Sequence, residues 1–287
     1  MTGETVGFVG LGRMGGPMSR RLIEAGWRVI GVDSSGEARA RAAEIGMTVA
    51  SAPTAVVECQ VVMSSLPDTP QVLEVYEGLI ERMAPGSLCI DLSTISVAAS
   101  RELAAAASEK QIAFVDAPVS GTSIHAEAGT LAVMAGGEID AVDRARKYLV
   151  AFSSSVQHVG PNGTGLVMKL ISNRLLTTHL VAIAEAILEM EAAGLEVPVG
   201  LDALRAGAVP RLLDYKAGPM ANRDYMPRFT VDLMSKDMRL ANELLPPGRL
   251  GLAAAEILEA ARAAGLGADD LGAVMEIVVK NRRTETS

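Results

Sequence analysis

The chain divides by the rhythm of its apolar positions. Its first part carries short, nearly unbroken apolar runs: Val6–Val9, Trp27–Val32, Thr48–Ala50, Gln60–Leu66, Ser87–Leu92, Ile112–Val115, Thr130–Ala135 and Ser155–Val159. Each is predicted to be a strand. Runs with no polar face belong to strands covered on both sides. Between them, periodic stretches predict helices over Gly16–Glu24, Thr54–Cys59, Thr69–Met83, Val97–Glu109 and Asp140–Val150, and the stretch after Gly121 reads as loop. Alternation of this kind predicts a doubly wound, largely parallel sheet.

After Gly160-Pro161-Asn162-Gly163 the rhythm becomes helical and stays so. Thr164–Ala193 carries Leu166, Leu170, Leu180, Ile183, Ala184, Ile187 and Met190 on one stripe. Such a helix is about 45 Å long at 1.5 Å per residue. Helices are then predicted over Leu201–Gly207, Pro210–Lys216, Val231–Leu245, Leu252–Ala264 and Ala268–Arg282. An α/β domain over 1–162 and an all-α domain over 163–287, joined by the long helix, follow from this pattern.

The first strand runs into Gly10-Leu11-Gly12-Arg13-Met14-Gly15, and a helix follows. This is G-x-G-x-x-G between a strand and a helix. Gly10 permits the tight turn, Gly12 lets backbone approach a pyrophosphate, and Gly15 lets helix and strand pack closely. The helix N-terminus favours the phosphate. Asp33 ends the second strand about 20 residues on, where a carboxylate accepts hydrogen bonds from the adenosine ribose. It repels a 2′-phosphate, so NAD is expected over NADP, with Arg39 and Arg41 able to soften that preference. The unit as a whole predicts a Rossmann domain. The competing reading of Asp33 is a cap on the turn Ser34-Ser35-Gly36.

Composition narrows the picture further. Of 287 residues, 49% are hydrophobic, and the net charge is −8, which argues against nucleic acid. Cys59 and Cys89 lie in apolar segments, so no disulfide framework is indicated. No basic-then-apolar leader opens the chain. Asn173, Arg174, His179, Glu185 and Glu189 interrupt the long helix, so no membrane span is expected, and a cytoplasmic protein is implied. His125, His158 and His179 lack metal-ligand spacing, and the methionines read as core filler. The end Lys280–Glu285 reads as a solvated terminus.

Lys169 and Asn173 stand four apart on the long helix and so share a face. Desolvation would lower the lysine's proton affinity, which suits it to take a proton from an alcohol or give one to a carbonyl oxygen. The plainer alternative is a lysine whose stem covers core surface.

Four segments now carry a resemblance. They are Gly10–Met18 (GLGRMGGPM), Asp116–Gly121 (DAPVSG) with Gly129-Thr130-Leu131, Gly163–Asn173 (GTGLVMKLISN) and Phe229–Ala241 (FTVDLMSKDMRLA). The chain resembles the β-hydroxyacid dehydrogenases, the family of 3-hydroxyisobutyrate dehydrogenase and tartronate semialdehyde reductase. The resemblance implies an NAD-dependent oxidoreductase interconverting a small 3-hydroxy acid and its semialdehyde. It makes Lys169 the general acid/base and gives the substrate anion to Ser120, Gly121 and Thr122. Asn173 holds the substrate, and Lys236, supported by Asp237, reaches the substrate and the nicotinamide end. Leu66, Pro67, Gln71 and Thr94 contact the cofactor. A homodimer or homotetramer is also implied.

One departure stands out. The family pattern reads Ser-Gly-Gly, and this chain has Ser120-Gly121-Thr122-Ser123. Thr122 either narrows the anion pocket or adds a donor for a larger oxyanion, so reduction of a sulfonated semialdehyde such as sulfolactaldehyde is a second reading. A non-catalytic nucleotide-binding dimerisation module is a third. Arg174, Arg211, Tyr215 and Lys216 are further candidate anion contacts, each also readable as an ordinary helix-face residue.

Overall fold

The computed structural model describes residues 4–206 and 216–285, with side chains to residue 281. The first part is a sheet built from β1 (Thr5–Val9), β2 (Arg28–Val32), β3 (Thr48–Ala50), β4 (Val61–Ser64), β5 (Leu88–Asp91), β6 (Ala113–Asp116), β7 (Val119–Ser120), β8 (Leu131–Gly136) and β9 (Ser153–Gly160). The order β3-β2-β1-β4-β5-β6 is parallel throughout. This is the dinucleotide-binding order, whose crossover lies between β1 and β4. β8 then pairs antiparallel with both β6 and β7, and parallel with β9. Valine, isoleucine, leucine and phenylalanine fill the strands, and Val6, Phe8, Met63, Leu88 and Ile90 are fully buried.

The connecting helices are α1 (Gly15–Glu24), α2 (Gly36–Glu44), α3 (Thr69–Ile80), α4 (Val97–Glu109), α5 (Ser123–Ala128) and α6 (Ile139–Leu149). Three local results differ from the sequence reading. Pro53–Val56 is a 3₁₀ turn rather than a helix over Thr54–Cys59. α2 forms although only Ala38 and Ala42 of it are buried; Ser35 caps it, accepting the Ala38 N–H. The stretch after Gly121 is α5, closed by Gly129 in the left-handed region (φ 69°).

The helical part comprises α7 (Thr164–Ala192), α8 (Val197–Ala206), α9 (Gly218–Ala221), α10 (Val231–Leu244), α11 (Arg249–Ala263) and α12 (Val274–Glu285). The sequence reading missed α9. The helix expected over Ala268–Arg282 begins later, after a 3₁₀ turn at Leu271–Ala273, and it continues through the supposed terminus to Glu285. Residues 210–215 of the helix expected over Pro210–Lys216, with Arg211 and Tyr215, lie outside the described residues.

Backbone packing divides the chain into two units, Met1–Lys169 and Leu170–Ser287. In the second, Leu180, Ala184 and Ile187 of α7 join Leu201, Met220, Met234, Leu258 and Met275 in one core. The reason given against a membrane span does not hold: by length and composition α7 is apolar enough to cross one, as the core helix of a soluble protein also can be. Its charges are too sparse to break the run. The apolar stripe from Leu180 to Ile187 is used inside the second unit's core.

Candidate active site

The three fingerprint glycines meet three different surroundings. Gly10 has φ +92°, and a Cβ there would lie 2.3 Å from the Ser65 carbonyl oxygen. A Cβ on Gly15 would lie 1.8 Å from the Gly10 carbonyl oxygen, so α1 touches the β1 turn backbone to backbone. Around Gly12, by contrast, a Cβ would meet no atom within 4 Å. The loop is closed where the protein packs on itself and open over Gly12, where a pyrophosphate would need room. Leu11 is buried, Met14 half-buried and Arg13 exposed. The residues present fit a dinucleotide.

Asp33 follows β2 and is half-buried. One carboxylate oxygen accepts the Leu11 N–H at 2.7 Å and the other the Ser35 N–H at 2.8 Å. The capping reading is therefore correct as far as it goes. Each oxygen keeps a further lone pair for a ribose hydroxyl. Arg39 donates to the carbonyls of Asp33 and Ser34 at 2.7 and 2.9 Å, while Arg41 is exposed and reaches Glu37 only at 4.0 Å.

The carboxyl ends of β4 and β5 are fixed by a buried network that the sequence did not reveal. Asp91 ends β5 fully buried, and its Oδ1 accepts from the hydroxyls of Ser64 and Ser93 at 2.7 and 2.6 Å. Ser93 in turn accepts the Leu66 N–H at 2.9 Å. The Leu66-Pro67 and Ser93-Thr94 loops are thereby held side by side. Leu66 and Thr94 are half-buried; Pro67 and Gln71 are exposed. The signal was a carboxylate closing an otherwise apolar strand, and Asp116 repeats it on β6.

Beyond β6, Val119 and Ser120 pair with Val133 and Ala132 of β8. Gly121 has φ +133°, and a Cβ there would press on Leu131 Cδ2 at 2.6 Å and His125 Cβ at 3.0 Å. Thr122 caps α5 and turns inward on it. Its N–H donates to His125 Nδ1 at 3.1 Å, and its hydroxyl lies 3.0 Å from the same nitrogen. The Thr122 hydroxyl is thus engaged within its own turn, so the departure from glycine shapes this loop before it offers any donor to an anion. Ser120 and Thr122 are half-buried, and Gly121 is exposed.

Lys169, Asn173 and Thr177 follow one another at four-residue spacing along α7, and all three are buried, at 8, 2 and 0% exposure. In the second unit, the Asn173 amide donates to Asp237 Oδ2 at 2.6 Å. Lys236 is buried beside it, its Nζ 3.1 Å from Asp237 Oδ1. Asp237 therefore serves both Asn173 and Lys236. Two other candidates have local duties. Arg174 donates to Asn242 and to the Leu245 carbonyl, and Lys216 is buried against Asp270 at 2.5 Å.

Comparison with known proteins gives the family. Residues 5–160 match the model of the NAD binding domain of 6-phosphogluconate dehydrogenase, and residues 163–278 match that described as NAD-binding of NADP-dependent 3-hydroxyisobutyrate dehydrogenase. The chain belongs to the β-hydroxyacid dehydrogenase family and is an oxidoreductase with a nicotinamide cofactor. Among its relatives is the NAD-dependent L-serine dehydrogenase of Pseudomonas aeruginosa, 37% identical over 84% of this chain and 85% of the relative. The 3-sulfolactaldehyde reductase of Escherichia coli is 32% identical, with 95% of each covered. The structure of Mycobacterium tuberculosis 3-hydroxyisobutyrate dehydrogenase with L-serine superimposes with a TM-score of 0.88 at 36% identity, covering 96% of this chain and 99% of that one.

Proposed function

We propose that this protein is an NAD-dependent dehydrogenase of a small 3-hydroxy acid, working reversibly on the corresponding semialdehyde. When bound, the nicotinamide supplies the hydride acceptor or donor. Lys169 takes the hydroxyl proton as the alcohol is oxidised and returns it to the carbonyl oxygen in the reverse direction. Ser120 and Gly121 hold the acid's carboxylate. Asn173, whose amide is oriented by Asp237, holds the substrate, and Lys236 adds positive charge. The observation that carries the reading is a lysine only 8% exposed, one turn ahead of a buried asparagine on the same helix.

The carboxylate at Asp33 supports NAD over NADP, since a 2′-phosphate there would face a like charge. Arg39 is held by two carbonyls close by, which favours its use in the turn rather than on a phosphate. The L-serine dehydrogenase and the serine-bound relative favour a short carboxylate substrate. A sulfonate remains the competing substrate because of the E. coli reductase.

The test is NAD- and NADP-linked absorbance with L-serine, 3-hydroxyisobutyrate, glycerate, 3-hydroxybutyrate, threonate and sulfolactate. Turnover of a carboxylate with NAD is expected. A preference for sulfolactate would move the assignment to the sulfonate, and NADH binding without any turnover would favour a non-catalytic module. Lys169→Ala is expected to bind NADH normally and to lose at least about 100-fold in turnover; near-normal turnover would remove the lysine from its role. Light scattering reads the dimer or tetramer that the family likeness implies.

A further inference from the structure

Asp116 has no part in the scheme above, yet its carboxylate touches the helix that carries Lys169. It closes β6 fully buried. Oδ1 accepts the Gly163 N–H at 2.7 Å, and Oδ2 accepts the Leu166 N–H at 3.1 Å. These amides lie at the opening of α7, where backbone donors lack partners inside the helix. The fit leaves no slack. A Cβ on Gly136 would stand 2.7 Å from both Asp116 oxygens, and one on Gly165 would stand 2.9 Å from Oδ2 and 2.7 Å from the Asp116 carbonyl oxygen. Asn162 adds a second tie to the same strand, its amide donating to the Phe114 carbonyl at 2.8 Å.

The position of this carboxylate matters because of what lies on either side. Four residues after Asp116 comes Ser120, the start of the proposed anion loop. Three residues after Leu166, on the same helix face, comes Lys169. One side chain thus joins both segments, through the chain on one side and through hydrogen bonds on the other.

We propose that Asp116 is a positioning residue, fixing the register of Lys169 against the Ser120 loop by clamping the start of α7 to the end of β6. The proposal rests on the reading of Lys169 as proton carrier. Displacement by about 1 Å at a reacting group can cost on the order of 100-fold in rate, and a clamp at the helix start is where such displacement would be prevented.

The experiment compares Asp116→Asn, Lys169→Ala and the double variant in the NAD-linked assay, using the most active hydroxy acid of the panel above, with NADH affinity measured by fluorescence. Asp116→Asn is expected to bind NADH within about twofold of wild type while kcat falls by about tenfold or more. The double variant is expected to be no slower than Lys169→Ala alone, because the clamp acts through the lysine. A cap with a merely structural role would lower thermal stability, leave kcat of the folded protein unchanged, or add its loss to that of Lys169→Ala; either kinetic result overturns the proposal. Loss of NADH affinity in Asp116→Asn overturns it as well. An impaired Lys169→Ala beside a fully active Asp116→Asn would sink the clamp and keep the proton carrier, whereas an unimpaired Lys169→Ala would sink both. If Asp116→Asn does not fold, Asn162→Ala takes its place. It is expected to lower kcat by a few-fold with the same non-additivity, and unchanged kcat there overturns the clamp.

Discussion

The side-chain amide of Asn173 is bonded to Asp237 at 2.6 Å, with both residues 2% exposed. That bond decides which end of the amide Asn173 offers elsewhere: the nitrogen is partly committed, and Oδ1 is turned away from Asp237. Asn173→Asp would set two carboxylates at this distance in a buried place, where like charges cannot both ionise easily. The variant is expected to melt below wild type at pH 8 and to recover as the pH is lowered toward 5 and one carboxyl takes a proton. A thermal midpoint series against pH checks this; a deficit that does not change with pH would count against it.

Gly12 and Gly15 are expected to fail in opposite ways. Gly12→Ala meets no protein atom, so its thermal midpoint should match wild type while NADH affinity drops. Gly15→Ala drives a methyl into the Gly10 carbonyl oxygen and should be expressed poorly or melt much lower. Paired measurements of melting and of NADH binding separate the two. Equal affinity in Gly12→Ala would mean that the open space is not where the pyrophosphate lies.

Asp116 gives the first unit a pH signature. Burial pushes its carboxyl up from 3.8 to about 6, against the pull of the Gly163 and Leu166 amides and with a further push from Asp91. The folded protein therefore holds this proton more tightly than the unfolded chain between those two values. The group's contribution to stability is greatest at the acid end, falls as pH rises through this window, and is level above it. Relative to Asp116→Asn, which cannot titrate, wild type should lose up to roughly 3 kcal/mol between pH 4 and 7. Urea denaturation of both proteins across this range reads the difference, and a difference that grows with pH would contradict it.

Asp270 behaves in the opposite sense in the second unit. Burial pushes its carboxyl up, but Lys216 and the amides of Gly272 and Arg228 outweigh burial and hold it below 3.8. Its contribution is present above the ordinary carboxylate range and is lost as pH falls through the folded value. Lys216→Met leaves a buried carboxylate without its cation and should cost about 3–5 kcal/mol. Adding Asp270→Asn to Lys216→Met should recover part of that loss. Thermal melts of the three variants at pH 7 check this, and a double variant no better than Lys216→Met would tell against the pairing.

Much of the first unit was legible because a strand covered on both faces cannot hide its composition. The runs at Val6–Val9 and Ser87–Leu92 could be read from side chains alone. α2 was not legible, since alanine supplies its two buried positions and gives almost no apolar contrast with its polar neighbours. β7 and α5 were missed for another reason: pairing with β8 and the Thr122–His125 turn fix them, and both are tertiary contacts without a local period. In the site, the tight turn at Gly10 and the close packing at Gly15 followed from spacing. Asp91 and Asp116 were not assigned parts, because a carboxylate at a strand end is commonplace until its burial and its partners are known.

The Ser120 loop hangs from a strand of two residues that is paired with β8, well along the sheet from the Gly10 turn. Exchanging residues 121–124 for those of a relative should therefore retune which acid is accepted without disturbing how the coenzyme is gripped, and descendants of such a chain could change diet one short segment at a time.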